Sequence, residues 1–235
     1  MRSNRAILLA ALLLLQSTVR SSFHGLSMIN LVDLATSESL IATEIEKLSS
    51  KLLPVFPYLK NYLHDYRLSR GALDPWGVAG NPVAAYAMTS RYFYLLDKLK
   101  REIESGKVVQ SAELSGLLEL LRNIPLWPDD DDLFDVTKNI YKLQYFFDLR
   151  PEELVIGQIG KNETGISLSS KHILVLAGSA IEFEEFVAAS EWLRLAKTKN
   201  ISRWEAMWHR LVEQHDENYE RKRTRGHRQL FETRL

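Results

Sequence analysis

The chain has 235 residues, of which 46% are hydrophobic and 26% are charged, a composition typical of a folded protein. Its 30 Lys and Arg residues balance its 30 Asp and Glu residues, so it lacks the basic excess that whole-chain binding to nucleic acid requires. There is no cysteine, which excludes disulfides, thiolate metal sites and a thiol nucleophile.

The first 21 residues are predicted to be a secretory signal peptide. Arg2 and Arg5 precede an apolar run at 6–15, and small residues occupy the −3 and −1 positions before residue 22. A membrane anchor is the alternative, but the run is shorter than the roughly 20 apolar residues of a spanning helix. We therefore expect a protein of the secretory lumen with no membrane span.

Two N-glycosylation sequons fit that compartment. They are Asn162-Glu163-Thr164 and Asn200-Ile201-Ser202, although such triplets also occur by chance. No KDEL-type tail is present, so a resident of the endoplasmic reticulum would need a partner that retains it.

Apolar spacing after Leu34 predicts a coiled-coil helix. The apolar residues alternate at spacings of four and three, at Ile41, Ile45, Leu48, Leu52, Val55, Leu59 and Tyr62. A stripe this narrow favours pairing with one other helix. The residues expected to form a dimer seam are Ile41, Ile45, Leu48 and Leu52. An intramolecular helical hairpin is the alternative, and Pro54 and Pro57 indicate that the helix bends or that the coil ends near Leu53.

The next segment, 70–81, is predicted to be a loop because it is rich in glycine and proline. Asn81-Pro82 then has the pattern of an N-cap followed by a first helical residue, and Gly106 is the expected end of that helix. A short leucine-rich helix is expected over about 114–121.

A run of four acids, Asp129 to Asp132, directly precedes an apolar helical pattern that continues to Phe147. A helix cap that complements the helix dipole is the simpler interpretation, and a metal site is the alternative. The acids lack the alternating spacing of a calcium loop.

The rest of the chain predicts paired helices, beginning at Ser169, at Glu182 and at Trp204, with small residues where they cross. No convincing alternating strand is present. The fold class is therefore predicted as all-α, with an N-terminal coiled-coil-like helical region followed by a tetratricopeptide-like helical hairpin domain.

Catalytic motifs are missing from the sequence. Five of the six histidines are not followed by x-Asp or x-Glu, the usual start of a facial iron site on a strand. The sixth, His215, precedes Asp216-Glu217 but lies in a segment predicted to be a helix. There is also no nucleophile elbow, phosphate loop or dinucleotide fingerprint. No catalytic residue, metal ligand or cofactor is therefore assigned to this chain.

The segment 74–86, DPWGVAGNPVAAY, followed by Arg91, resembles the N-terminal region of the collagen prolyl 4-hydroxylase α subunit. It follows that family's pattern Asp-Pro-x-Gly-x-x-Gly-x-Pro-Val-x-Ala-aromatic. Upstream, 28–48 resembles the family's first helix, including Glu38 and Leu40. Further resemblance to the entry and first helix pair of its peptide-substrate-binding domain lies at 127–130, 143–149 and 168–192.

The resemblance implies a dimerisation domain at 22–132 and a degenerate tetratricopeptide-like peptide-substrate-binding domain at 133–235. In this family the α subunits pair through a coiled coil, hold the proline-rich peptide of procollagen and assemble with protein disulfide isomerase in the endoplasmic reticulum lumen. Hydroxylation uses Fe²⁺, 2-oxoglutarate and ascorbate on a catalytic domain whose motifs this sequence lacks.

By register, the family's groove tyrosines are replaced here by Phe147, Ile181, Phe186 and Val187, which are the expected peptide-binding residues. The two phenylalanines keep the ring but lose the hydroxyl, at about 0.5–1.5 kcal/mol per lost hydrogen bond.

The leading hypothesis is a family member without its own iron site, which pairs with itself or with a full-length α subunit and captures proline-rich peptide. Two alternatives stay open. In the first alternative, the chain is a truncated gene model or splice form of an active procollagen-proline 4-dioxygenase. In the second, it is a helical module for an unrelated peptide.

Overall fold

The computed structural model describes residues 26–106 and 112–232, so the predicted signal peptide lies outside the described residues. The helices are α1 (Met28–Lys47), α2 (Ser49–Val55), α3 (Leu59–Arg70), α4 (Pro75–Gly80), α5 (Pro82–Arg91), α6 (Asp97–Glu104), α7 (Ala112–Arg122), α8 (Asp130–Phe147), α9 (Pro151–Val155), α10 (Ser170–Glu182), α11 (Phe186–Thr198) and α12 (Trp204–Glu232). A π-helical turn (Tyr92–Leu96) joins α5 to α6.

The all-α prediction is confirmed, with one small exception. Strands β1 (Gln158–Ile159) and β2 (Asn162–Glu163) form an antiparallel pair of two residues each, too short to show alternation in the sequence. Among the described residues, no helix combines the length and apolarity that crossing a membrane requires.

Side-chain caps set the start of α5, as predicted. The Asn81 side chain accepts hydrogen bonds from the backbone N–H groups of Val83 (3.0 Å) and Ala84 (3.1 Å), and Pro82 is the first helical residue.

The loop predicted for 70–81 contains the short helix α4, which corrects that prediction. The Asp74 side chain accepts from the Gly77 backbone N–H at 2.6 Å, and Pro75 provides the first helical residue. This cap offsets the low helix propensity of the two glycines.

Asp129 caps α8, and the cap interpretation of the acidic run is confirmed. The backbone N–H of Asp132 donates to Asp129 Oδ1 at 2.9 Å, while the backbone N–H of Asp129 donates to Asp132 Oδ2 at 3.2 Å. These reciprocal bonds satisfy two donors at the positive end of the helix.

The predicted coiled-coil helix is broken rather than continuous. α1 ends at Lys47, and Pro54 lies inside the last turn of α2, which ends at Val55. Pro57 follows at once, and the chain turns back as α3, which packs against α1. The break lies close to the position that the prolines indicated.

The four predicted seam residues need a correction because the chain's own core covers them. Ile41 and Ile45 have no exposed surface, Leu52 is 1% exposed and Leu48 is 8% exposed. Side chains buried to this degree in their own chain cannot form the main contact with a second chain. The structure therefore matches the intramolecular alternative, and pairing, which stays a prediction, has to use other side chains.

The paired helices of the second half are α10 and α11, with α12 packed against both. Their crossing is lined by Ala177, Ala180 and Ala189, which are fully buried. The predicted helix start at Glu182 is wrong by four residues, because Glu184 has a positive φ of 59° and forms the turn. The tetratricopeptide-like character of the hairpin stays a prediction.

Candidate peptide-binding face and the buried ion pair

A buried ion pair links the first helix to the fifth. Arg91 Nε and Nη2 donate to Glu38 Oε1 and Oε2 at 2.7 and 2.9 Å, and the two side chains are 2% and 1% exposed. Arg91 Nη1 also donates to the Ser69 hydroxyl and to the Asp65 carbonyl (3.4 Å). One guanidinium therefore joins α1, α3 and α5.

The electrostatics of this cluster keep the arginine charged. Burial alone would lower the pKa of Arg91, but the charge and hydrogen bonds of Glu38 more than offset it, so the pKa is raised. Burial, followed by the nearby Glu38 charge, raises the pKa of Tyr62 well above its usual value. The cluster therefore holds fixed charges and a neutral phenol, as a structural element does.

His172 connects the second half of the chain to this cluster. Its ring meets Tyr86 edge to face at 5.8 Å, and its Nδ1 accepts from the Ser169 backbone N–H at 3.3 Å. Burial, followed by the positive charges of Arg91 and Lys171, lowers the pKa of His172 to about 3. The imidazole is therefore neutral near pH 7 and joins α10 to α5 through its ring.

The described residues give an iron ion no ligand set. Across 26–106 and 112–232, no group of three His, Cys, Asp or Glu side chains converges closely enough to hold a metal.

The four predicted peptide-binding residues differ in exposure. Phe147, the last residue of α8, is 64% exposed, and Val187, in the first turn of α11, is 75% exposed. Phe186 is half-buried, with its ring 5.4 Å from that of His215 on α12. Ile181 is 1% exposed inside the α10–α11 packing, so its assignment to a peptide groove is corrected: it is a core residue.

A hydrogen-bonded joint that includes the neutral Gln144–Trp192 bond holds α8 against α11. Gln144 Oε1 accepts from Trp192 Nε1 at 2.7 Å, and Gln144 Nε2 donates to Glu191 Oε2 at 3.1 Å. Phe147 lies one turn after Gln144, and Val187 lies one turn before Glu191. Both residues therefore belong to the helix faces that this joint brings together.

Two further aromatic residues are exposed at the end of α8. Tyr145 is 83% exposed and Phe146 is 72% exposed, and their rings meet edge to face at 5.4 Å. Three consecutive aromatic residues on a helix cannot all face one core, and this pattern is the sequence signal for their exposure. We call Tyr145, Phe146, Phe147 and Val187 the aromatic edge.

Carboxylates lie beside the aromatic edge. Burial raises the pKa of Glu191; Arg194 opposes that rise, and the negative charges of Glu152 and Asp148 add to it. Carboxylates and the cation Arg194 therefore lie together beside the aromatic edge.

The architecture defines an all-α protein built from capped helices around a buried Arg–Glu pair. Comparison with family models gives a match to the family described as "Prolyl 4-Hydroxylase alpha-subunit, N-terminal region" over residues 27–161, more than half of the chain. The chain belongs to this prolyl 4-hydroxylase α-subunit family. No curated protein and no solved structure matches it significantly.

The matched range holds most of the features described above. It contains Glu38, Arg91 and the first three members of the aromatic edge, and it ends between β1 and β2. It also runs past 132, where the sequence predicted a domain boundary.

Proposed function

We propose that this chain serves prolyl 4-hydroxylase α subunits as a binding partner without its own iron site. It holds proline-rich peptide on the aromatic edge and pairs with another α subunit. The exposed ring of Phe147 carries the proposal, because it lies inside the matched range and at a position predicted for peptide contact.

Peptide capture rests on the chemistry of the aromatic edge. A polyproline II peptide is preorganised and has an apolar surface that docks on aromatic rings. Phe147 offers a ring without a hydroxyl, and Tyr145 provides the one phenol among the three aromatic residues. We expect weak binding. Each hydroxyl that is missing removes one hydrogen bond to the peptide and so about 0.5–1.5 kcal/mol of binding free energy.

Calorimetric titration with a (Pro-Pro-Gly) repeat peptide tests this proposal. Phe147→Ala is expected to weaken binding roughly tenfold, the loss of one stacked ring at about 1–1.5 kcal/mol. Val212→Ala is the matched control, because Val212 is an apolar residue, 45% exposed, on α12. No heat at millimolar peptide, or an equal loss in both variants, would contradict the proposal.

Pairing, on this proposal, uses the outward face of α1. Ile29 is 66% exposed and Leu40 is 55% exposed, and their spacing of about three turns puts them on the same face. Leu40 belongs to the stretch that resembles the family's first helix. Because Leu40 is exposed in its own chain, it is a candidate for contact with a second chain.

Sedimentation velocity tests the pairing proposal. The wild-type chain is expected to sediment as a dimer and Leu40→Ser as a monomer. Val55→Ser is the control, because Val55 is an apolar residue of similar exposure, 47%, on a different helix, α2. A wild-type monomer at high micromolar concentration would refute the proposal.

The remaining partners and the compartment follow the family. We propose the endoplasmic reticulum lumen, with a full-length α subunit and protein disulfide isomerase as partners; Fe²⁺, 2-oxoglutarate and ascorbate would act on the α subunit's catalytic domain. Asn162 and Asn200 are exposed, as glycan acceptors must be. Co-purification from cells, with the mass before and after peptide N-glycosidase treatment, checks partners and glycans together.

A further inference from the structure

A concave surface lies away from the aromatic edge, between the start of α8, the end of α10 and the π-helical turn. It is a half-open cavity of about 380 Å³. Four aromatic residues line it, in two edge-to-face pairs: Phe134 with Phe183 at 4.5 Å, and Phe93 with Tyr94 at 5.0 Å. Its size suits one large side chain rather than a length of peptide.

The charged residues that line this cavity are all acidic. They are Asp130 and Asp131 from α8 and Glu182 from α10. After burial, the charges of Glu182 and Asp130 are the causes that raise the pKa of Tyr94. Carboxylates from two different helices therefore act on the same phenol, so the cavity has a convergent negative potential over its aromatic lining.

The aromatic rings at this cavity already attract cations of the chain itself. Lys138 Nζ lies 4.9 Å from the Phe134 ring centroid, and Lys171 Nζ lies 5.6 Å from that of Tyr94. Neither lysine is among the residues that line the cavity. The rings thus show cation–π geometry on their outer sides, and the interior is bordered by carboxylates.

We propose that this cavity binds the arginine side chain of a partner polypeptide. A planar guanidinium stacks on aromatic rings and donates paired hydrogen bonds to carboxylates, whereas lysine offers only a point charge. The acidic aromatic cavity meets both requirements, since Asp130 and Asp131 lie beside its rings. Glu182 adds a third carboxylate, which Arg210 Nη2 of α12 reaches at 3.4 Å in an exposed ion pair. This inference does not depend on the aromatic edge.

The test uses the full chain, labelled with ¹⁵N, and two peptides without proline. One is a Gly-Ser peptide with a central arginine, and the other has glutamine in its place. The arginine peptide is expected to shift amide signals at 130–137 and 179–183, to bind roughly fivefold more tightly than the glutamine peptide, and to weaken as salt rises.

Paired variants decide whether the cavity is responsible. Asp131→Asn with Glu182→Gln is expected to abolish the preference for arginine. Asp135→Asn with Glu205→Gln removes the same charge from exposed positions outside the cavity and is expected to keep it. The proposal fails if the peptides bind equally, if shifts are absent at millimolar arginine peptide or occur elsewhere, or if both pairs act alike. Because neither peptide contains proline, such a failure leaves the proposed peptide capture untouched.

Discussion

The two halves of the described chain fix their buried polar groups in different ways. In the first half, the Glu38–Arg91 ion pair lies in the core among α1, α3 and α5. In the second half, Gln144 and Trp192 make a neutral bond between α8 and α11, and alanines allow close packing of the α10–α11 pair.

The difference shows which half depends on an exact arrangement. A buried charge loses its hydration and needs its partner, so removal of either side is severe. A neutral bond loses less when broken, and the second half also leaves aromatic rings outside its core. The first half is therefore the more sharply specified frame, and the second half carries the aromatic edge.

The largest effect is expected when the charged pair is broken. Arg91→Ala leaves the Glu38 carboxylate buried without its cation, which costs about 3–5 kcal/mol of the free energy of unfolding. Urea denaturation measures this loss. Arg67→Ala is the matched control, because its ion pair with Glu46 (2.6 Å) is exposed and is expected to contribute less than about 1 kcal/mol.

The Glu38→Leu, Arg91→Met double variant shows whether charge itself matters. If the cost comes from an unpaired charge, the double variant recovers much of the stability lost in Arg91→Ala. Equal losses in Arg91→Ala and Arg67→Ala would show that the frame does not depend on the pair.

His172 tests the junction between the two halves through pH. Its pKa is about 3 in the folded chain against an ordinary 6.5, so between these values the unfolded chain binds the extra proton. Stability therefore falls as pH falls below 6.5, by about 2 kcal/mol between pH 6.5 and 4.5. Denaturation across that range is expected to give a smaller slope for His172→Gln. An unchanged slope would mean that the imidazole is not held neutral.

Local sequence patterns predicted the helix caps correctly. Asn81 is followed by proline, and Asp129 is followed three residues later by another acid. Both side chains accept from N–H groups within a few residues, so these caps can be predicted without knowledge of the fold. The Glu38–Arg91 pair joins residues 53 positions apart, and no local pattern contains that contact. The resemblance contained both residues but not their pairing.

The heptad stripe predicted a buried face but not the surface that covers it. Apolar spacing predicts that Ile41 and Ile45 are buried. It does not distinguish burial against a second chain from burial against the chain's own α3. The turn at Pro54 and Pro57 decides between the two, because it reverses the chain direction and lets α3 pack against α1. Ile181 was misassigned by register, although its spacing from Ala177 already favoured the core face.

The neutral Gln144–Trp192 bond of the second half gives the next effect. Gln144→Leu keeps the side-chain volume but leaves buried Trp192 Nε1 without its acceptor, at an expected 1–3 kcal/mol. Thermal unfolding measures the loss, and Trp192→Phe in the same background removes the stranded donor. If Gln144→Leu costs as much as Arg91→Ala, the proposed contrast between charged and neutral joints fails.

The smallest effect is expected at the cap of α5, the helix that places Arg91. Asn81→Ala removes the acceptor for two backbone N–H groups, at about 1 kcal/mol, whereas Asn81→Ser keeps a hydroxyl acceptor and is expected to retain most of the stability. Urea midpoints separate the two variants. A loss above about 3 kcal/mol in Asn81→Ala would mean that the cap is coupled to the Glu38–Arg91 pair, since a cap alone contributes less. A double-mutant cycle with Arg91→Ala then measures that coupling directly.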